Sequence, residues 1–265
     1  MLTIYNKIDK SMANTSGFQV VTEIDMLERP FLLCISAKNN LSKSIYGIMR
    51  EGAQAARLQT TQGPAARFML DEFPVDILGV RFQEDEEYHQ AYVELADKFL
   101  YPFLTQKGMD INRMRRQARK MNIFTFCEGA YTYKAAEDRL EVLLKRAGID
   151  DNDIHSILSQ ISLVALESVV EAGSFLATSI SFVDINDMEI ESENTDSYRY
   201  LLESQKRKAV YSTMGDSNSM LYVYNGPGIH NVKKFFKQNN CIAKPAVCAM
   251  VSMFLENSLE NELGR

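Results

Sequence analysis

The chain has 265 residues, of which 46% are hydrophobic, enough to close a large core and within the range of a single α/β domain. Its formal charge of −6 speaks against a protein whose main task is to hold nucleic acid, since phosphates favour a basic footprint. Four scattered cysteines, Cys34, Cys127, Cys241 and Cys248, form no Cys-x-x-Cys pair. With only three histidines beside them they supply no zinc-type cluster, so no metal or other cofactor is expected and a reducing compartment is the simpler inference.

Residues 1–18 read as an N-terminal extension carrying Lys7, Asp9 and Lys10 without a long apolar stretch. No apolar run reaches the ~18 residues of a membrane helix, so a cytoplasmic protein made without a signal peptide is expected. Residues 19–26 and 30–36 read as strands, the second a nearly continuous apolar run suited to a strand covered on both faces. Asn39 and Asn40 break that run. Residues 42–58 then place Ile45, Ile48, Met49 and Ala53 at helical spacing, and Gly63 with Pro64 marks a loop. Residues 75–82 form the next short apolar strand. The acids at 84–87 suit the positive end of a helix running to about residue 104.

A strand at 121–127 precedes a helix at 133–147, whose Ala136, Leu140, Leu143 and Leu144 share a face and which Gly148 stops. A short acidic helix at 151–160 follows. Residues 161–166 and 177–183 are candidate strands, with the segment between them open to partial helix. A helix at 196–211, a strand at 220–224 and closing helices at 232–238 and 245–259 complete the chain, residues 239–265 being a C-terminal helical segment. This alternation predicts one α/β domain over 1–265, with a mainly parallel central sheet and helices on both faces.

Cys127 sits where an apolar strand runs into small residues and then a helix. In a nucleophile elbow such a turn lifts one reactive side chain above the sheet edge, and the following backbone N–H, here that of Glu128, faces a developing oxyanion. Gly129 supplies the small residue the turn needs. In an open α/β sheet chemistry gathers at the carboxyl ends of strands. Past the strand ending at Val183 lie Asp184 and Asp187; past the strand ending at Tyr224 comes a loop with Gly226, Pro227 and Gly228 that leads to His230.

The order nucleophile, acid, histidine, each at a strand end, resembles the α/β-hydrolase superfamily. Thr125-Phe-Cys127-Glu-Gly129-Ala is similar to the Gly-x-Cys-x-Gly-Gly elbow of its dienelactone-hydrolase branch, in which a cysteine nucleophile replaces serine. Asp184-Ile-Asn-Asp187-Met-Glu-Ile190 resembles the turn that carries the acid. The resemblance implies a catalytic triad of Cys127, Asp187 and His230, with Asp184 as the alternative acid, and an oxyanion site at the backbone N–H groups of Glu128 and Ala37. It departs at Thr125, where the family has glycine, and at 36–40, where the usual His-Gly motif is missing. The implied activity is that of an esterase, thioesterase or related hydrolase working through an acyl-enzyme, or an acyltransferase using the same intermediate. Its partner would be a small-molecule acyl substrate or a protein.

Two other readings stand beside this one. The chain could be a catalytically inactive α/β-hydrolase-like protein that binds a small ligand or a protein partner, or a doubly wound domain in which Cys127 is simply buried. The Glu128 carboxylate raises the thiol pKa unless it points away or finds a cation. His89 and His155 read as solvated helix residues, and the basic cluster at 113–120 as a solvated helix end lacking an aromatic platform. Cys34, Cys241 and Cys248 read as structural. Val247, Met250, Val251, Phe254 and Leu255 suit a core or, alternatively, a homodimer face.

Overall fold

A computed structural model describes residues 3–7, 18–20, 30–36, 76–81, 88–187, 209–213 and 218–235. In chain order these form β1 (Thr3–Lys7), β2 (Phe18–Val20), β3 (Phe31–Ser36), β4 (Asp76–Arg81) and α1 (Tyr88–Leu95). A π-helical turn (Ala96–Leu100) carries α1 into α2 (Tyr101–Thr105), and α3 (Ile111–Ala118) follows. Then come β5 (Met121–Phe126), α4 (Gly129–Arg146), α5 (Asp151–Leu158), β6 (Ser162–Leu166) and β7 (Thr178–Asp184). β8 (Ala209–Thr213), β9 (Ser219–Tyr224) and a 3₁₀ turn (Val232–Phe235) end the described chain.

The strands join one sheet in the order β2-β1-β4-β3-β5-β6-β7-β9-β8. From β4 to β9 every pairing is parallel, which requires a crossover between successive strands and gives an α/β fold. The two margins are antiparallel, β1 against β2 and β4, and β8 against β9. Among the described residues no helix is long and apolar enough to cross a membrane.

Register sorts the side chains into two faces. Leu33, Ile123 and Leu163 lie in one row and belong to the core formed with the described helices. Phe31 on that face meets Phe99 and Phe103 edge-on, with ring centroids 5.5 and 4.9 Å apart, and a buried phenyl contributes roughly 2–3 kcal/mol. Cys34, Phe124, Val164 and Ile180 form a row on the opposite face and are buried too. β5 is therefore sealed on both sides, and chemistry on it is confined to its end.

α4 is anchored by the fully buried Glu137, which accepts the backbone N–H groups of Leu176 and Ala177 at 3.0 and 2.8 Å, and by Arg139, which forks onto both oxygens of Asp97. α3 and α5 are tied by Arg115 to Ser156 and Arg119 to Gln160, so these members of the basic cluster are engaged in helix pairing.

Four sequence expectations change. Residues 3–7 belong to the sheet rather than to an extension outside it, because β1 supplies an antiparallel partner to the open edge of β4. Residues 209–211, expected at the end of a helix, are strand, the β-prone Val210, Tyr211 and Thr213 pairing with β9. Of the helix expected at 232–238, Val232–Phe235 form a 3₁₀ turn that brings both Lys234 and Phe235 inward, and 236–238 lie outside the described residues. α4 begins at Gly129, earlier than its apolar period indicates, since Gly129 and Ala130 are small enough to enter the helix directly and are buried. The expected helices at 42–58 and 245–259, the remainder of the strand at 19–26, and Cys241 and Cys248 lie outside the described residues.

Candidate functional site

β5 stops at Phe126, and Cys127 takes a left-handed backbone, φ +50°. A side chain in that conformation costs about 1–2 kcal/mol, and the neighbouring structure enforces it. The Cys127 N–H donates to the Leu166 carbonyl at 2.9 Å, and its carbonyl accepts from the Ala130 N–H at 3.0 Å, so strand pairing passes directly into a helix start. Cys127 is half-buried at the N-terminus of the 18-residue α4, where the positive end of the helix favours a thiolate. Glu128 is exposed, so its carboxylate has solvent to point into, and Thr125 lies wholly within β5. The Thr125 hydroxyl is buried with no hydrogen-bond partner among the described residues.

Asp187 and His230 come together although 43 residues separate them: Oδ2 of Asp187 lies 3.0 Å from Nδ1 of His230. The carboxylate is an acceptor, so Nδ1 is the donor. The imidazole also packs on Phe126, the residue before Cys127, at 4.9 Å between ring centroids. The three strand-end positions are thus gathered along one carboxyl edge of β5, β7 and β9.

Asp184 has a different task. Its Oδ1 accepts from the N–H groups of Asn186 and Gly226 at 3.0 and 2.9 Å, and its Oδ2 from that of Gly228 at 3.0 Å. It thereby pins the histidine loop to the end of β7. Both glycines are required. A Cβ at Gly226 would collide with the Asp184 carboxylate and the Tyr224 ring, while Gly228 has φ +67° and its Cβ would press on the Asn186 carbonyl.

Lys234 is fully buried, and its ammonium meets Glu167 Oε1 at 2.6 Å, Asp187 Oδ2 at 3.2 Å and Asp184 Oδ2 at 3.3 Å. Burial works against its charge. The neighbouring acids, Glu167 first, outweigh that and hold its pKa above the ordinary lysine value. Glu167 is equally buried and also accepts from the Tyr224 hydroxyl at 2.9 Å and the Asp184 N–H at 3.1 Å. Burial pushes its carboxyl up to about 7 against the downward pull of Lys234.

Of the residues expected at the site, Ala37 lies outside the described residues. Cys34 is buried within β3, and burial pushes its thiol up. His155 is exposed on α5, and His89 is a residue of α1. Sequence reasoning missed Glu167, Tyr224 and Lys234. An acid directly after the apolar run of β6 was a readable signal for the first, whereas nothing local marks Lys234. No family model matches the chain, and no curated protein matches it.

Proposed function

We propose that the chain is a cysteine-nucleophile enzyme of the α/β-hydrolase type, acting on an ester, thioester or related acyl bond. The observation that carries this reading is the Asp187–His230 pair lying on Phe126, next to a cysteine held in a left-handed strand-to-helix turn. The nucleophile, acid, histidine order along the chain agrees with that superfamily.

With Nδ1 turned to Asp187, Nε2 of His230 is the nitrogen that acts on the Cys127 thiol. It takes the thiol proton as the sulfur attacks the acyl carbonyl, and Asp187 steadies the charged ring. The carbonyl electrons move to oxygen, where the backbone N–H of Glu128 stabilises them. Collapse of that intermediate expels the alcohol or thiol, which takes the proton from His230. The resulting thioester on Cys127 passes its acyl group to water or to another nucleophile.

An alkylating probe such as iodoacetamide tests the reading. Cys127 is expected to react selectively at neutral pH, and His230→Ala to slow that reaction at least tenfold. Labelling no faster than that of a simple thiol, unaffected by His230→Ala, would favour the catalytically inactive, ligand-binding alternative.

A further inference from the structure

Behind the acid–histidine pair runs a buried chain of charge. Glu167 Oε1 lies 2.6 Å from Lys234 Nζ, Lys234 Nζ lies 3.2 Å from Asp187 Oδ2, and the same Oδ2 lies 3.0 Å from His230 Nδ1. Glu167, Lys234 and Asp187 are all buried, and only His230 is partly open to solvent. We propose that Glu167 is a positioning residue for His230, acting through Lys234: its carboxyl sets how much of the lysine charge falls on Asp187, and so how firmly Asp187 holds a charged imidazole. The catalytic meaning of this relay rests on the function proposed above, but the coupling is a property of the four side chains themselves.

The direction follows from the contacts. A charged Glu167 makes the shortest contact to the ammonium, and so its strongest charge-assisted hydrogen bond. When Glu167 gains a proton, the lysine charge is left to Asp184 and Asp187. The Asp187 oxygen that receives the His230 N–H then becomes a poorer partner for an imidazolium, and one negative charge near the ring is lost as well. Both effects favour the neutral ring.

Every charged or titratable group facing Glu167 among the described residues enters this balance. Lys234 approaches from the 3₁₀ turn, the Tyr224 hydroxyl from β9, and Asp184 through its N–H from β7, with Asp187 acting across the lysine. Two further observations fit. Glu167 and Cys127 are the two non-glycine residues with positive φ among those described, and they follow adjacent strands on the same edge. Burial pushes the Glu167 carboxyl up to about 7, which eases its protonation.

The test is a histidine ring titration by NMR on the whole chain, whose three histidines, His89, His155 and His230, are each followed separately. Glu167→Gln keeps an oxygen for Lys234 and Tyr224 but removes the charge. The His230 ring is expected to titrate lower than in wild type, by up to about one pH unit for two charges several ångströms apart at an effective dielectric near 20, with His89 and His155 unmoved. Tyr224→Phe removes the hydroxyl that supports the charged carboxyl and is expected to give a smaller change of the same sign. It decides the matter should Glu167→Gln fail to fold. A His230 titration unaltered in a folded variant would overturn the relay. Cys127 alkylation in the same samples separates the two claims: a responsive His230 beside an ordinary thiol keeps the relay and removes the catalytic reading.

Discussion

Replacing Cys127 by glycine should give a more stable protein than replacing it by alanine. Both variants delete the thiol, and they differ only in a Cβ held at φ +50°. That Cβ costs about 1–2 kcal/mol in the left-handed region, while glycine gives up about 0.5–1 kcal/mol more than alanine when the chain is ordered. The difference leaves glycine ahead by somewhat under 1 kcal/mol, or about 1–2 °C in melting temperature for a chain of this size. At Ala136, inside α4, the order reverses: Ala136→Gly should cost about 1 kcal/mol or more, since that position is helical and buried. Chemical denaturation monitored by circular dichroism, with calorimetry for the melting temperatures, measures all three. Alanine equal to or better than glycine at 127 would mean that the backbone there is not held left-handed, and the argument for an elbow would fall with it.

The carboxyl of Glu167 binds its proton more tightly in the folded chain, about 7 against an ordinary 4.5. Its contribution to stability is therefore full below pH 4.5 and is lost as pH rises to 7, about 3 kcal/mol for two and a half pH units. Denaturation of wild type and Glu167→Gln across that window should show the wild-type advantage shrinking by this order; a constant difference refutes it. Gly226→Ala should destabilise by about 2–3 kcal/mol through the clash with Asp184 and Tyr224 and should slow Cys127 alkylation, which a wild-type melting curve for the variant would contradict. Cys34, buried and with its thiol pushed up, should remain unlabelled until denaturant is added; mass-spectrometric detection of native-state labelling at Cys34 would show that β3 opens.

The central strands were legible because a strand buried on both faces is rich in apolar residues: 31–35 and 163–166 are continuous apolar runs, and 121–126 is apolar apart from Asn122 and Thr125. The strand-end positions of Cys127, Asp187 and His230 followed from that map and from the general placement of chemistry in open sheets. The edges were not legible in the same way. Ala209–Thr213, the outermost strand on its side, and Thr3–Lys7, which lies between β2 and β4 near the other margin, mix polar and apolar residues, so local pattern carries little information about them. The charge relay was hidden for another reason. Lys234 lies 67 positions from Glu167 in sequence and 47 from Asp187, and only the folded sheet turns a lysine that reads as surface into the counter-charge of three acids.

An ammonium offers its three N–H bonds as the legs of a tripod, and at Lys234 each leg stands on a different carboxylate. A guanidinium spreads its donors in one plane and grips acids two oxygens at a time, so arginine would bring the same charge in an unsuitable shape. Position 234 is thus constrained by donor direction as well as by sign. A related chain with arginine there must have altered at least one of the three acids, and a search among such chains would find the two substitutions travelling together.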